Sequence, residues 1–66
     1  MIRVTRLNGE VIYLNFLQLE FMERIPETKI RMMNGDYYLV KDTVESILQQ
    51  VEEIFHNHAA FQNKER

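Results

Sequence analysis

Cysteine and tryptophan are missing from this chain, proline occurs once, at Pro26, and glycine twice, at Gly9 and Gly35. Each scarcity removes a possibility. Without cysteine there is no disulfide framework and no thiolate metal site. With two separated glycines there is no glycine-rich loop to cradle a phosphate. No apolar run exceeds a few residues, so no segment reads as a membrane span. The opening Met1–Arg6 lacks the apolar core of a signal peptide, and the expected location is the cytoplasm.

What is present describes a folded domain. Apolar residues make up 45% of the 66 positions and charged residues 27%, a globular composition. One domain over residues 1–61, followed by a polar tail at 62–66, is the expected organisation. A chain this short buries only about 60% of its unfolded surface. Small folds of this kind usually need a staple, and self-association is the one left open. The net charge is −2, with six Lys/Arg against five Asp/Glu in residues 1–41 and two against five in residues 42–66. A nucleic-acid duplex would be repelled unless a local basic patch overcame that average.

The first half carries strand patterns. Ile2-Arg3-Val4-Thr5-Arg6 alternates apolar and polar residues, Val11-Ile12-Tyr13-Leu14 is β-branched and aromatic, and Asn8-Gly9 lies between them. A three-residue loop, Leu7-Asn8-Gly9, places Ile2, Val4, Ile12 and Leu14 on one face, whereas a two-residue loop mixes the faces. A second hairpin is expected around Asn34-Gly35 with a two-residue loop, setting Ile30 opposite Leu39 and Met32 opposite Tyr37. Arg31 opposite Tyr38 and Lys29 opposite Val40 would then occupy the other face. Between the hairpins, Leu19, Phe21 and Ile25 alternate with Glu20, Met22 and Arg24, which predicts a further strand ended by Pro26. Phe16-Leu17-Gln18 reads as a helical turn or an irregular link.

The last third predicts a helix. Val44, Ile47, Leu48, Val51, Ile54 and Phe55 share one stripe, and Glu45, Gln49, Glu52 and Glu53 lie opposite. Asp42 with Glu45 is the expected capping pair. The helix is expected to reach about His58 and to fray through Ala59–Phe61. The fold class is therefore α+β, a small antiparallel β-sheet of two Asn-Gly hairpins and a middle strand followed by one amphipathic helix.

Catalytic chemistry finds little support. Ser46, the sole serine, lies in the helix without a nucleophile elbow. His56 and His58 point to different helix faces and cannot readily share a metal; a position near the helix C-terminus explains them better. Glu20, Glu23 and Glu27 read as solvated surface. No cofactor and no metal site are expected, and the chain is read as non-enzymatic. A glutamate-flanked helix is a poor binder of anionic lipid, so packing on the sheet or a second subunit is the better explanation, without direct membrane insertion. Basic residues interleave with tyrosines in the strand region, a pattern compatible with single-stranded RNA or with a solvated face. Leu7, Val11, Tyr13, Tyr38 and Val40 fall opposite the core face in these registers, a surplus that favours a protein contact. Arg3, Arg6, Tyr13, Arg31 and Tyr38 are the candidate contact residues.

The order of motifs resembles a known family. Met1-Ile2-Arg3-Val4-Thr5-Arg6-Leu7-Asn8-Gly9 is similar to the opening of the FlbD/SwrD family, and Leu14-Asn15 to its L-N pair. Glu23 to Pro26 with Thr28 resembles its I-E-x-x-P-D-T stretch. Asn34-Gly35 followed by Tyr38, Val40 and Lys41 resembles N-G-x-x-Y-x-V-x-E, and Asp42-Thr43-Val44-Glu45 the start of its closing helix. Phe16 stands where many members have proline, and Glu27 replaces the usual aspartate. The resemblance implies flagellar motility and swarming, with support of motor power through stator or other motor components, and no catalytic residues. A fainter resemblance links Met1, Thr5, Arg6, Gly9 and Glu10 to the opening of CsrA, the carbon-storage regulator. It implies the alternative of an RNA-binding regulator and stops after the first hairpin.

Overall fold

Strand formation follows the alternation of the first forty residues. In the computed structural model, which describes residues 1–24 and 26–64 (side chains up to Asn57), five short strands precede one helix. These are β1 (Ile2–Thr5), β2 (Val11–Leu14), β3 (Leu19–Glu23), β4 (Thr28–Met32), β5 (Tyr37–Val40) and α1 (Val44–Lys64). A 3-10 turn over Phe16–Gln18 joins β2 to β3. The strands form two antiparallel sheets, β1-β2 and β3-β4-β5, rather than the single sheet expected. A bridge between Arg6 and Val40 links them.

β1 and β2 adopt the expected register, Ile2 opposite Leu14 and Val4 opposite Ile12. The Arg6 N–H donates to the Glu10 carbonyl at 2.8 Å, leaving Leu7, Asn8 and Gly9 as the loop. Gly9 has φ +93°, a conformation that costs other L-residues free energy.

The second reversal corrects the expected register by one residue. Ile30 faces Tyr38 and Arg31 faces Tyr37, because Met33 joins Asn34 and Gly35 in the loop. The Met32 N–H donates to the Asp36 carbonyl, and Gly35 takes φ +97°. Each loop is braced by its asparagine, whose Oδ1 accepts from the N–H two residues on, Asn8 from Glu10 and Asn34 from Asp36, both at 2.9 Å. The one-residue shift turns Tyr38 and Val40 toward the core and Tyr37 and Leu39 outward. Val40 is buried, against expectation.

β3 also departs from simple alternation. A register irregularity between Leu19 and Phe21 lets both Leu19 and Met22 pack on the core, while Phe21 faces out. Ile25 lies outside the described residues.

The core gathers Ile2, Val4, Leu14, Ile30, Met32, Val40 and Ile47 from both sheets and the helix. Burial of such side chains stabilises by about 1.5–3 kcal/mol each. Within the expected stripe of α1, Ile47 is fully buried and Val51 and Ile54 are half-buried. Leu48 and Phe55 stay exposed, because the stripe is wider than the small surface beneath it. Phe55 meets Phe16 edge-on at 5.7 Å.

The helix start corrects another expectation. Thr43 is the cap: its Oγ1 accepts from the Ser46 N–H at 3.1 Å. Asp42 instead accepts from the Thr5 N–H at 2.6 Å. The helix also continues past His58 to Lys64, since Ala59, Ala60, Gln62 and Lys64 favour helix and no Gly or Pro stops it. Glu65 and Arg66, the end of the expected tail, lie outside the described residues.

Candidate interaction surface

Position along an alternating strand decides which side chains face out. In the first sheet Arg3 and Tyr13 sit directly opposite each other on the outer face, with Val11 beside them. All three are exposed, Tyr13 at 62%. In the second sheet Arg31 lies between Phe21 on β3 and Tyr37 on β5. Lys29 sits opposite Leu39, and its ammonium lies 4.6 Å from the centre of the Tyr37 ring.

Of the five expected contact residues, Arg3, Arg6, Tyr13 and Arg31 are exposed. Tyr38 is not part of the outer face: it is half-buried and packs against the core. Tyr37 takes its place, joined by Phe21 and Leu39. The signal for these was present in the sequence but ambiguous, because Tyr37-Tyr38-Leu39-Val40 is apolar at every position. Arg3 with Tyr13 and Arg31 with Tyr37 lie on different sheets, so the expected set divides between two outer faces.

Several cations already have partners. Arg6 pairs with Glu10 at 3.0 Å and Arg31 with Glu20 at 3.4 Å. Arg24 pairs with Glu45 at 2.8 Å. The Glu45 carboxyl lies below its ordinary value, first because it accepts from its own backbone N–H in the first helical turn, then because of Arg24.

The free edge of β1 is closed by Gln50 of the helix and by the link that precedes the helix. Gln50 accepts from the Arg3 N–H through Oε1 and donates to the Arg3 carbonyl through Nε2, both at 2.8 Å. One residue pair further, Asp42 holds the Thr5 N–H and the Lys41 N–H donates to the Thr5 carbonyl. Gln50 of the helix and the Lys41–Asp42 link before it thus supply the bonds a further strand would make.

Shallow grooves mark the surface of the described residues. One of about 320 Å³ lies between the first loop and β5, lined by Arg6, Leu7, Asn8, Tyr37, Tyr38 and Leu39. A second, of about 510 Å³, lies at the helix start, where Asp42 and Glu45 are already bound to Thr5 and Arg24. A third, of about 430 Å³, runs along α1 beside Glu52, Phe55 and His56. No cluster of His, Cys, Asp and Glu able to hold a metal occurs among the described residues. No described helix is long and apolar enough to cross a membrane.

A family model described as flagellar and swarming motility proteins matches residues 1–58. The chain belongs to the FlbD family. The match runs through both hairpins and most of the helix, well beyond the point where the resemblance to the carbon-storage regulator stops. Searches of the curated proteins and of the solved structures found no match. Membership of the FlbD family assigns the chain a role in flagellar and swarming motility.

Proposed function

We propose that this FlbD-family chain is a non-enzymatic accessory protein that supports flagellar motor power through protein–protein contacts, on the cytoplasmic side of the motor. It associates with itself and with motor or stator components. The observation that carries this reading is the outer face of the second sheet. Phe21, Tyr37 and Leu39 stay exposed there, interleaved with Lys29 and Arg31. Aromatic residues and arginine are the types most enriched where proteins meet.

Apart from Arg3, the cations on the two sheets are engaged by neighbouring side chains, which favours a protein over RNA as the occupant. Arg6 and Arg31 are matched by neighbouring glutamates and Lys29 is stacked on Tyr37. RNA affinity would require these charges to be available to phosphates.

Deletion of the gene tests the reading. Cells are expected to keep their flagella, to swarm poorly and to show lowered torque under load. Normal swarming and normal torque would overturn it. A mobility shift with single-stranded RNA that weakens steeply with salt would favour the RNA-binding alternative instead.

A further inference from the structure

Exposed strand edges invite pairing, and folded proteins usually guard them. The edges in this fold are treated unequally. The outer edge of β1 is closed by Gln50, Asp42 and Lys41. β3 is interrupted by the irregularity between Leu19 and Phe21, carries Glu20 and Glu23, and is followed by Arg24, which Glu45 of the helix holds. β5 meets the end of β1 through the Arg6–Val40 bridge, and Leu7 and Asn8 line the groove along its remainder.

β2 has none of these devices. Its sequence, Val-Ile-Tyr-Leu, carries no charge, proline or irregularity, and it pairs with β1 alone. The register directs the N–H and C=O groups of Ile12 and Leu14 toward β1, because Arg6 with Glu10 is a hydrogen-bonded pair and such pairs recur every second residue. Those of Val11 and Tyr13 therefore point away from the sheet, and no described backbone or side-chain group bonds to them.

We propose that β2 is the edge through which two copies of this chain pair, antiparallel, about a twofold axis at Ile12. The edge is self-complementary. Val11 of one copy faces Tyr13 of the other, and the reverse, so each exchanges N–H···O=C bonds with its opposite. A β-branched side chain then meets an aromatic on the outer face, a pairing worth about 0.2–1 kcal/mol. Ile12 meets Ile12 on the core side. The symmetric arrangement closes on itself and leaves no second β2 edge. The sheet becomes four-stranded, and the side chains left wet in the single copy, Val11 and Tyr13, are partly covered. The contact is small against the roughly 1,200–2,000 Å² of a stable interface, so the dimer dissociates on dilution. This deepens the self-association part of the function given above and is independent of motility.

Sedimentation equilibrium over a range of concentrations, with hydrogen exchange at the two extremes, tests it. The intact chain is expected to approach twice its monomer mass at high concentration, with the Val11 and Tyr13 amides protected there and exchanging freely on dilution. Val11→Pro, at the first residue of β2, removes an outward-pointing N–H and no bond to β1. It is expected to weaken dimerisation about tenfold or more while the circular dichroism spectrum stays the same. Gln49→Ala, exposed on the helix and away from both sheet faces, is expected to leave it unchanged. A monomer at every concentration, a Val11→Pro chain that dimerises as well as the parent, or a dimer whose Val11 and Tyr13 amides exchange freely would each overturn the proposal. If Val11→Pro fails to fold, the exchange of the parent chain decides alone. Because no cell is involved, the outcome is separable from that of the deletion strain.

Discussion

Gln50→Ala isolates the clasp that joins helix to sheet. Gln50 contributes two hydrogen bonds to the backbone of Arg3, one accepted and one donated, each at 2.8 Å. A neutral hydrogen bond contributes about 1 ± 0.5 kcal/mol net. Gln50 is half-buried and Arg3 exposed, so water recovers part of the loss. The expected destabilisation is about 1–2 kcal/mol. In a domain this small, each kcal/mol moves Tm by about 4–8 °C, so a fall of roughly 5–15 °C is expected. Urea unfolding followed by circular dichroism reads the change, and hydrogen exchange locates it at the Arg3 amide. Gln49→Ala, one position along and exposed, is the control, expected within about 0.5 kcal/mol of the parent. Gln50→Glu keeps the acceptor but sets a carboxylate against the Arg3 carbonyl. It should destabilise at neutral pH and partly recover in acid, where a protonated carboxyl can donate. Equal stability of the Gln50 and Gln49 variants, with unaltered Arg3 exchange, would refute the clasp.

Other substitutions probe the remaining supports. Ile47→Ala empties a fully buried position and is expected to cost about 2–5 kcal/mol, enough to leave much of the chain unfolded by circular dichroism at 25 °C. Gly35→Ala puts a Cβ where nothing lies within 4 Å, so only the φ of +97° opposes it; chemical denaturation should show a loss of about 1–2 kcal/mol. Thr43→Ala removes the helix cap and is expected to lower stability by about 1 kcal/mol in the same assay. Because the Glu45 carboxyl titrates below its ordinary value of 4.5 in the folded chain, its stabilising effect is complete above that pH and fades as pH falls through the lowered value. Carboxyl NMR titration should show an upward move in Arg24→Ala, though not a full return, since the backbone bond in the first helical turn remains.

How far the sequence reveals the fold depends on how sharply each segment distinguishes its two faces. In β1 and β2, Ile2, Val4, Ile12 and Leu14 can share a face in only one short-loop register, and that register is the one adopted. β5 has no polar residue to mark its outer side, so registers one residue apart were equally apolar, and the three-residue loop chose between them. The consequence reaches the candidate surface, since it exchanges Tyr38 for Tyr37. Phe21 was hidden by the irregularity in β3, which breaks the period of two. Asp42 looked like a cap because it stands before the helix, but Thr43 stands there too, and only the approach of Thr5 assigns each its role. The clasp by Gln50 spans 47 residues of chain and leaves no local pattern, since a glutamine on a half-exposed helix face reads as ordinary surface.

Under the proposed function, the apolar and aromatic outer face of β3, β4 and β5 acts on another protein to sustain motility. The decisive measurement is swarm expansion of a deletion strain complemented with Phe21→Ser/Tyr37→Ser, at matched abundance and with the purified variant shown to be folded. Swarming is expected to be reduced nearly to that of the empty deletion strain, although the core residues are intact. Full restoration of swarming by this folded variant would contradict it.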